Sequence, residues 1–249
     1  MLARPRLILW IFLLVAFSAC DPVFHAGSAT YNYYRLDSSF LPDPVVENVV
    51  KPYGDKINAQ MQEIVGLCET TLEKKQPEGS LGNFMTDAML AMAKVKFKTH
   101  VDAAFVNSGG IRLNQLAAGQ VTRGKIFELM PFDNLLLIQK VKGKVLKEFL
   151  DYIAARGGWP VAGLSMQISN KKAVNVKIGG VSLDEETYYT IANSDYIING
   201  GDGMNLLRDI PVQNEGYLIR DALFDYIKQL QQEGKNISAK EENRVSHAQ

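Results

Sequence analysis

Along residues 219–230, Ile219, Ala222, Leu223, Tyr226, Ile227 and Leu230 recur at the spacing of one buried helical face. The same spacing joins Leu81, Phe84, Met85, Ala88, Met89 and Met92, with Ser80 before them as an N-cap. That methionine-rich stripe reads as core packing rather than a cofactor box. Residues 44–66 also read as helical through Val45, Val49, Ile57, Met61 and Ile64, with an interruption at Pro52-Tyr53-Gly54. Shorter helices are predicted over 121–130, ending at Pro131-Phe132, and over 145–156, stopped by Gly157-Gly158.

Strands are predicted where apolar residues alternate or cluster, over 64–71, 103–106, 134–141, 164–169, 173–178 and 187–192. Gly143 reads as a turn, and the polar turn at Asn170-Lys171-Lys172 makes its flanking strands antiparallel. Past Gln232 the chain turns polar and is expected to fray. Helices and strands without strict βαβ alternation predict one mixed α/β domain over 44–243, followed by a polar tail over 244–249.

Charge narrows the partners. The 249 residues carry 27 Lys and Arg against 27 Asp and Glu, so neither a nucleic-acid groove nor a polybasic membrane patch is expected. The start of the chain is different in kind. Arg4 and Arg6 precede an apolar run over 7–17 that is too short to span a bilayer. It ends in Phe17-Ser18-Ala19-Cys20, which resembles a bacterial lipoprotein cleavage box, although Phe17 stands where leucine is usual. This predicts a signal peptide over 1–19, lipidation at Cys20 and a flexible tether over 20–43. An ordinary secretory signal cut after Ala19, or a short anchor, is the alternative. The lipoprotein reading makes the protein exported and membrane-anchored, facing the periplasm or the cell surface. Cys68 is then a lone thiol in an apolar stretch, read as inert packing.

Two glycine turns carry the candidate chemistry. The run 103–106 is followed by Asn107-Ser108-Gly109-Gly110-Ile111-Arg112, where glycines permit close approach of a ligand and the guanidinium suits a phosphate or carboxylate. Asn199-Gly200-Gly201-Asp202-Gly203 carries a carboxylate instead. A ligand with a phosphate at one end and hydroxyls at the other would suit the pair. Taken alone this is a weak signal, since a strand followed by glycines is more often an ordinary tight turn. His25, His100 and His247 are scattered, and no Asp-x-His or Gly-Asn-His-Asp/Glu element occurs.

Gly82-Asn83-Phe84-Met85-Thr86-Asp87-Ala88-Met89, residues 107–112, Met130-Pro131-Phe132, Val141-Lys142-Gly143 and residues 199–203 occur in that order. Together they resemble the C-terminal, substrate-binding domain of the 5′-nucleotidase family, over residues 45 to 243. The resemblance implies a layered α/β/β/α-type domain. It matches Asn107 and Gly109 to the turn lining the nucleoside pocket, and Arg112 to an arginine on the substrate phosphate. Phe132 and Tyr196 match the two aromatics that sandwich the base, the latter usually phenylalanine. Asp202 matches the carboxylate on the ribose hydroxyls, with Asn199 beside it, while Asn83 and Asp87 match structural positions. A second phosphate arginine of some members falls near Val95, between Lys94 and Lys96.

Family members also carry a metallophosphoesterase domain with a dinuclear site built from His, Asp and Asn, which these residues cannot assemble. The resemblance thus implies no catalytic residue, metal site or cofactor here, divalent metals being expected only in a partner catalytic subunit. Three readings follow. The favoured one is a recognition half that binds a nucleoside or nucleoside 5′-monophosphate and serves a separate metallophosphoesterase chain in nucleotide catabolism. The others are a non-catalytic nucleoside-binding or scaffold lipoprotein and an independent hydrolase.

Overall fold

The computed structural model describes residues 27–35, 37 and 41–248, and the chain divides into the units 1–48 and 49–249. The signal-like segment, Cys20, His25 and part of the expected tether lie outside the described residues. From Pro44 the elements run α1 (Pro44–Met61), β1 (Ile64–Cys68), β2 (Leu72–Glu73), α2 (Ser80–Phe97) and β3 (Ala103–Phe105). Next come β4 (Gln115–Leu116), β5 (Gly119–Thr122), α3 (Arg123–Leu129), β6 (Leu135–Lys142) and α4 (Gly143–Ala155). Then follow β7 (Val161–Ala162), β8 (Leu164–Ser169), β9 (Lys172–Ile178), β10 (Val181–Ser182) and β11 (Tyr188–Ser194). The last are α5 (Asp195–Ile198), β12 (Val212–Leu218), α6 (Ile219–Gln232) and β13 (Val245–His247).

The central sheet has the strand order β12-β6-β11-β3-β7. β3 and β11 are parallel neighbours in it, and its other pairs are antiparallel. Period-two alternation splits its side chains between two apolar layers. Ala104, Ala192, Leu136 and Ile138 join the stripe of α2 and the buried face of α6. Ala103, Phe105, Ile191 and Val141 join α4 and the second sheet, β10-β9-β8-β13. Phe105 meets Phe149 edge-on at 5.0 Å, so α4 is seated against β3 of the central sheet. The fold is thus a mixed α/β domain, as the patterning predicts, and layered, as the resemblance implies; β8 and β9 pair antiparallel across the Asn170 turn.

Several boundaries differ from the predicted ones. α1 runs unbroken through Pro52 and buries none of its side chains, so the proline removes one backbone bond without ending the helix. α2 begins on Ser80 with Gly79 in the cap place, and the Ser80 hydroxyl instead accepts from the Glu73 N–H at 2.9 Å. A Cβ on Gly79 would collide with the Lys75 backbone nitrogen, which reserves that place for glycine. Val121 and Thr122 end a strand rather than start a helix, and Thr122 caps α3 by accepting from the Lys125 N–H. Gly143 is the first residue of α4, not a turn; a Cβ there would collide with the Asp184 carbonyl. Cys68 is buried and its thiol is pushed up in pKa by that burial, which suits inert packing.

The largest correction concerns the end of the chain. Residues 233–248 do not fray, and the fold extends past 243 into the expected tail. The backbone N–H of Ile237 donates to Leu67 at 2.8 Å, and β13 pairs in parallel with β8. Val245 is 2% exposed, and Arg244 grips the Asp87 carboxylate through two bonds of 2.7 and 2.9 Å. Asn83 donates to Glu78 and to the Lys240 carbonyl, which ties the same segment to α2. Asn83 and Asp87 are structural, as the resemblance implies. Their partners sit in a polar stretch whose single apolar anchors carry no periodicity. Deleting residues 244–249 should therefore cost about 3–5 kcal/mol, from one buried valine and an unpaired carboxylate. A thermal midpoint within about 2 °C of the full chain would show the segment to be dispensable.

Candidate functional site

Topology brings the two glycine turns together. Because β3 and β11 run parallel, their C-terminal ends open onto one edge of the sheet. Asn107–Arg112 leaves β3 there, and Tyr196 to Gly203 follows β11 there. β6 runs antiparallel to β11, with Ser194 opposite Leu136, so residues 132–134 enter β6 at the same edge. Asp195 locks the junction: its Oδ1 accepts from the Leu135 N–H at 3.0 Å and the Tyr196 N–H at 2.9 Å.

Between these turns lies a cavity of about 380 Å³. Asn107, Gly109, Arg112, Phe132, Tyr196 and Asp202, all nominated from the sequence, line it. Gly110 and Asn134 line it too and were not nominated. Asn134 lies between the Met130-Pro131-Phe132 turn and β6, so its closeness in sequence to Phe132 was the available signal. Asn199 does not line this cavity. It caps the end of α5, its carbonyl accepts from Arg208 at 2.8 Å, and it faces a separate depression with Arg208. The next residue, Gly200, reverses the chain at φ 100°, which turns Asp202 into the cavity and leaves Asn199 outside.

Asp202 is the most constrained residue of the site. Its backbone adopts φ 54°, a left-handed conformation that strains most side chains but suits Asp and Asn better than others. Its carbonyl accepts from the Tyr152 hydroxyl at 2.6 Å. Its Oδ2 accepts from Asn107 Nδ2 at 2.8 Å and its Oδ1 from the Tyr196 hydroxyl at 2.9 Å. A Cβ on Gly110 would lie 2.9 Å from Asn107 Oδ1, so that glycine lets the Asn107 amide face the carboxylate.

The two rings are surface features rather than core: Phe132 is 39% and Tyr196 45% exposed. Phe132 is held from behind by Arg220, which is buried. Arg220 Nη1 donates to the Met130 and Phe132 carbonyls, both at 3.2 Å, and Nη2 bonds Asp133 at 2.6 Å. The guanidinium also lies 4.3 Å from the Phe127 ring centre.

The cationic side of the cavity is Arg112. One N–H reaches the Gly109 carbonyl at 3.4 Å, and the guanidinium stands 5.8 Å from the Phe132 ring centre. Behind it Lys74 Nζ donates to the Ile111 carbonyl at 2.9 Å. Burial, then the neighbouring Arg112 charge, holds Lys74 below the ordinary lysine value. At the place of the second phosphate arginine Val95 is 64% exposed, Lys96 lies over the Tyr217 ring, and neither Lys94 nor Lys96 lines the cavity.

One carboxylate already bonded to an amide and a phenol, one guanidinium and two rings do not fit a dinuclear metal site. Among the described residues no group of three His, Cys, Asp or Glu side chains could hold a metal ion. The same set suits a ligand with an aromatic face, hydroxyls and an anion.

A family model described as the 5′-nucleotidase C-terminal domain matches residues 59–209. The chain belongs to that family. It is 27% identical over 232 residues to the trifunctional nucleotide phosphoesterase protein YfkN of Bacillus subtilis (strain 168), covering 84% of this chain and 16% of the relative. It is 27% identical over 204 residues to the 5′-nucleotidase of Vibrio vulnificus (strain CMCP6), covering 78% of this chain and 36% of that one. Among solved structures, the 5′-nucleotidase precursor from Thermus thermophilus superposes with a TM-score of 0.69 at 26% identity, over 82% of this chain and 43% of that chain. The chain thus spans less than half the length of each of these relatives.

Proposed function

We propose that this chain is the nucleotide-recognition part of a 5′-nucleotidase-type hydrolase, binding a nucleoside or nucleoside 5′-monophosphate and serving a separate metallophosphoesterase chain. The observation that carries the reading is the convergence of Phe132, Tyr196, Arg112 and Asp202 on one cavity. In this reading the two rings hold the base, Asp202 accepts from ribose hydroxyls and Arg112 meets the phosphate. Asn107 orients the Asp202 carboxylate, and Gly109 leaves room for the sugar. Family membership and the names of the relatives support a nucleotide as the ligand.

The donor set of the cavity supports a partner for the chemical step. The chain's own residues bind and orient; divalent metals and the activated water belong to the partner. The pattern of residues 4–20 supports export and a lipid anchor on Cys20, with the domain facing the periplasm or the cell surface.

The soluble chain from residue 21 onward is expected to release no phosphate from nucleoside monophosphates, and to raise the rate and lower the KM of an added metallophosphoesterase partner. Arg112→Ala should remove most of that gain, a loss of about 1.5–3 kcal/mol for a charge-assisted contact. An unchanged rate on mixing two folded chains would instead support a binding or scaffold role.

A further inference from the structure

Tyr196 does more than present a ring. Its hydroxyl donates to Asp202 Oδ1 at 2.9 Å and accepts from the Asp202 backbone N–H at 3.2 Å. The ring edge lies so close to Gly201 that a Cβ there would be 2.5 Å from its Cδ1 and Cε1. Ring, Gly201 and Asp202 therefore close into one small unit, and the phenol proton has a single defined direction.

Capacity in the Asp202 carboxylate is the next observation. Each oxygen can accept about two hydrogen bonds. Tyr196 takes one on Oδ1 and Asn107 takes one on Oδ2. One acceptor direction is left on each oxygen, which matches a pair of vicinal hydroxyls better than a single hydroxyl. The strained backbone of Asp202 would otherwise relax and let the carboxylate turn; the bond that its N–H donates to the Tyr196 hydroxyl opposes that. Holding the carboxylate in advance removes an ordering cost from binding.

We propose that the Tyr196 hydroxyl is a positioning group that aims the Asp202 carboxylate at a vicinal diol, and so sets the preference of this cavity for ribose over sugars lacking that diol. The proposal rests on the reading of the cavity as a nucleoside site. It makes the sugar preference a property of the pair Tyr196–Asp202 rather than of Asp202 alone.

The test compares adenosine with 2′,3′-dideoxyadenosine by calorimetry on the soluble chain. Tyr196→Phe keeps the ring and deletes only the hydroxyl. The ratio of the two affinities is expected to fall about tenfold in that variant, the equivalent of one well-made hydrogen bond. In an Asp202→Ala background the same change is expected to move the ratio less than about twofold, because the hydroxyl acts through the carboxylate. A role in folding alone would lower both affinities together and leave the ratio where it was. Wild-type preference for adenosine with an unchanged ratio in Tyr196→Phe overturns this inference and spares the nucleoside reading. A ratio that rises overturns it too, since the hydroxyl would then occupy the place of the sugar. Wild-type protein that binds neither compound removes the nucleoside reading and this inference with it.

Discussion

Replacing Asp202 by asparagine is expected to weaken adenosine binding by about tenfold to a hundredfold, the loss of a charged acceptor worth about 1.5–3 kcal/mol. The fold should survive the change, because asparagine tolerates the left-handed backbone at φ 54° at least as well as aspartate. A 2′,3′-dideoxynucleoside lacks the 2′ and 3′ hydroxyls and should lose far less. Phe132→Ala should behave differently. Stacking is worth about 1–3 kcal/mol per base and does not read the sugar, so both compounds should weaken alike. Starting affinities are set by these terms against the cost of association, in the region of ~10 μM to ~1 mM. Ligand-detected NMR or calorimetry resolves such values. Should both substitutions leave nucleoside binding untouched, the cavity is not the nucleoside site, whatever the fold.

Arg220→Leu is expected to lower stability and to damage the site from behind. Leucine fills part of the volume but leaves the Met130 and Phe132 carbonyls without their donor. Leaving two such acceptors unpaired near the interior costs about 2–4 kcal/mol, while the bond to Asp133 adds little because that carboxylate is largely in water. For a domain of this size the thermal midpoint should fall by roughly 5–15 °C. Phe132 loses its backing in the same step, so adenosine affinity should fall as well in the protein that remains folded. Arg220→Lys supplies a donor but not the planar fork, and should recover less than half of the stability. Urea unfolding with an unchanged slope would measure the loss directly. A change under about 0.5 kcal/mol with full nucleoside affinity would mean the turn is held by other contacts.

Much of this molecule is decided locally. The stripes of α2 and α6 are legible because helical periodicity is a property of neighbouring residues; the α2 stripe is buried throughout, and on α6 Ile219, Ala222, Leu223 and Ile227 are buried while Tyr226 and Leu230 are half-buried. In the central sheet β3, β6 and β11 are legible as apolar runs, whereas the two-residue β7 and the mostly exposed β12 are not; the turn residues Asn107, Gly109, Arg112 and Asp202 are visible as chemistry. What periodicity lacks is any statement about partners. Arg220 looks like a charge on a helix, yet it is buried because carbonyls 88 and 90 residues earlier in the chain need its donors. Arg244 looks like part of a polar tail until Asp87, 157 residues away, is set beside it.

Single-residue geometry is equally silent in the sequence. Asn199 and Asp202 stand in one glycine turn, but the reversal at Gly200 sends only Asp202 into the cavity. Gly143 reads as a turn because glycine usually breaks helices, whereas here the Asp184 carbonyl leaves no room for a Cβ at the helix start. The parallel pairing of β3 with β11 is the decisive tertiary fact. It aligns two strand ends that lie far apart in the chain, and only then do a ring, a carboxylate and a guanidinium face the same space.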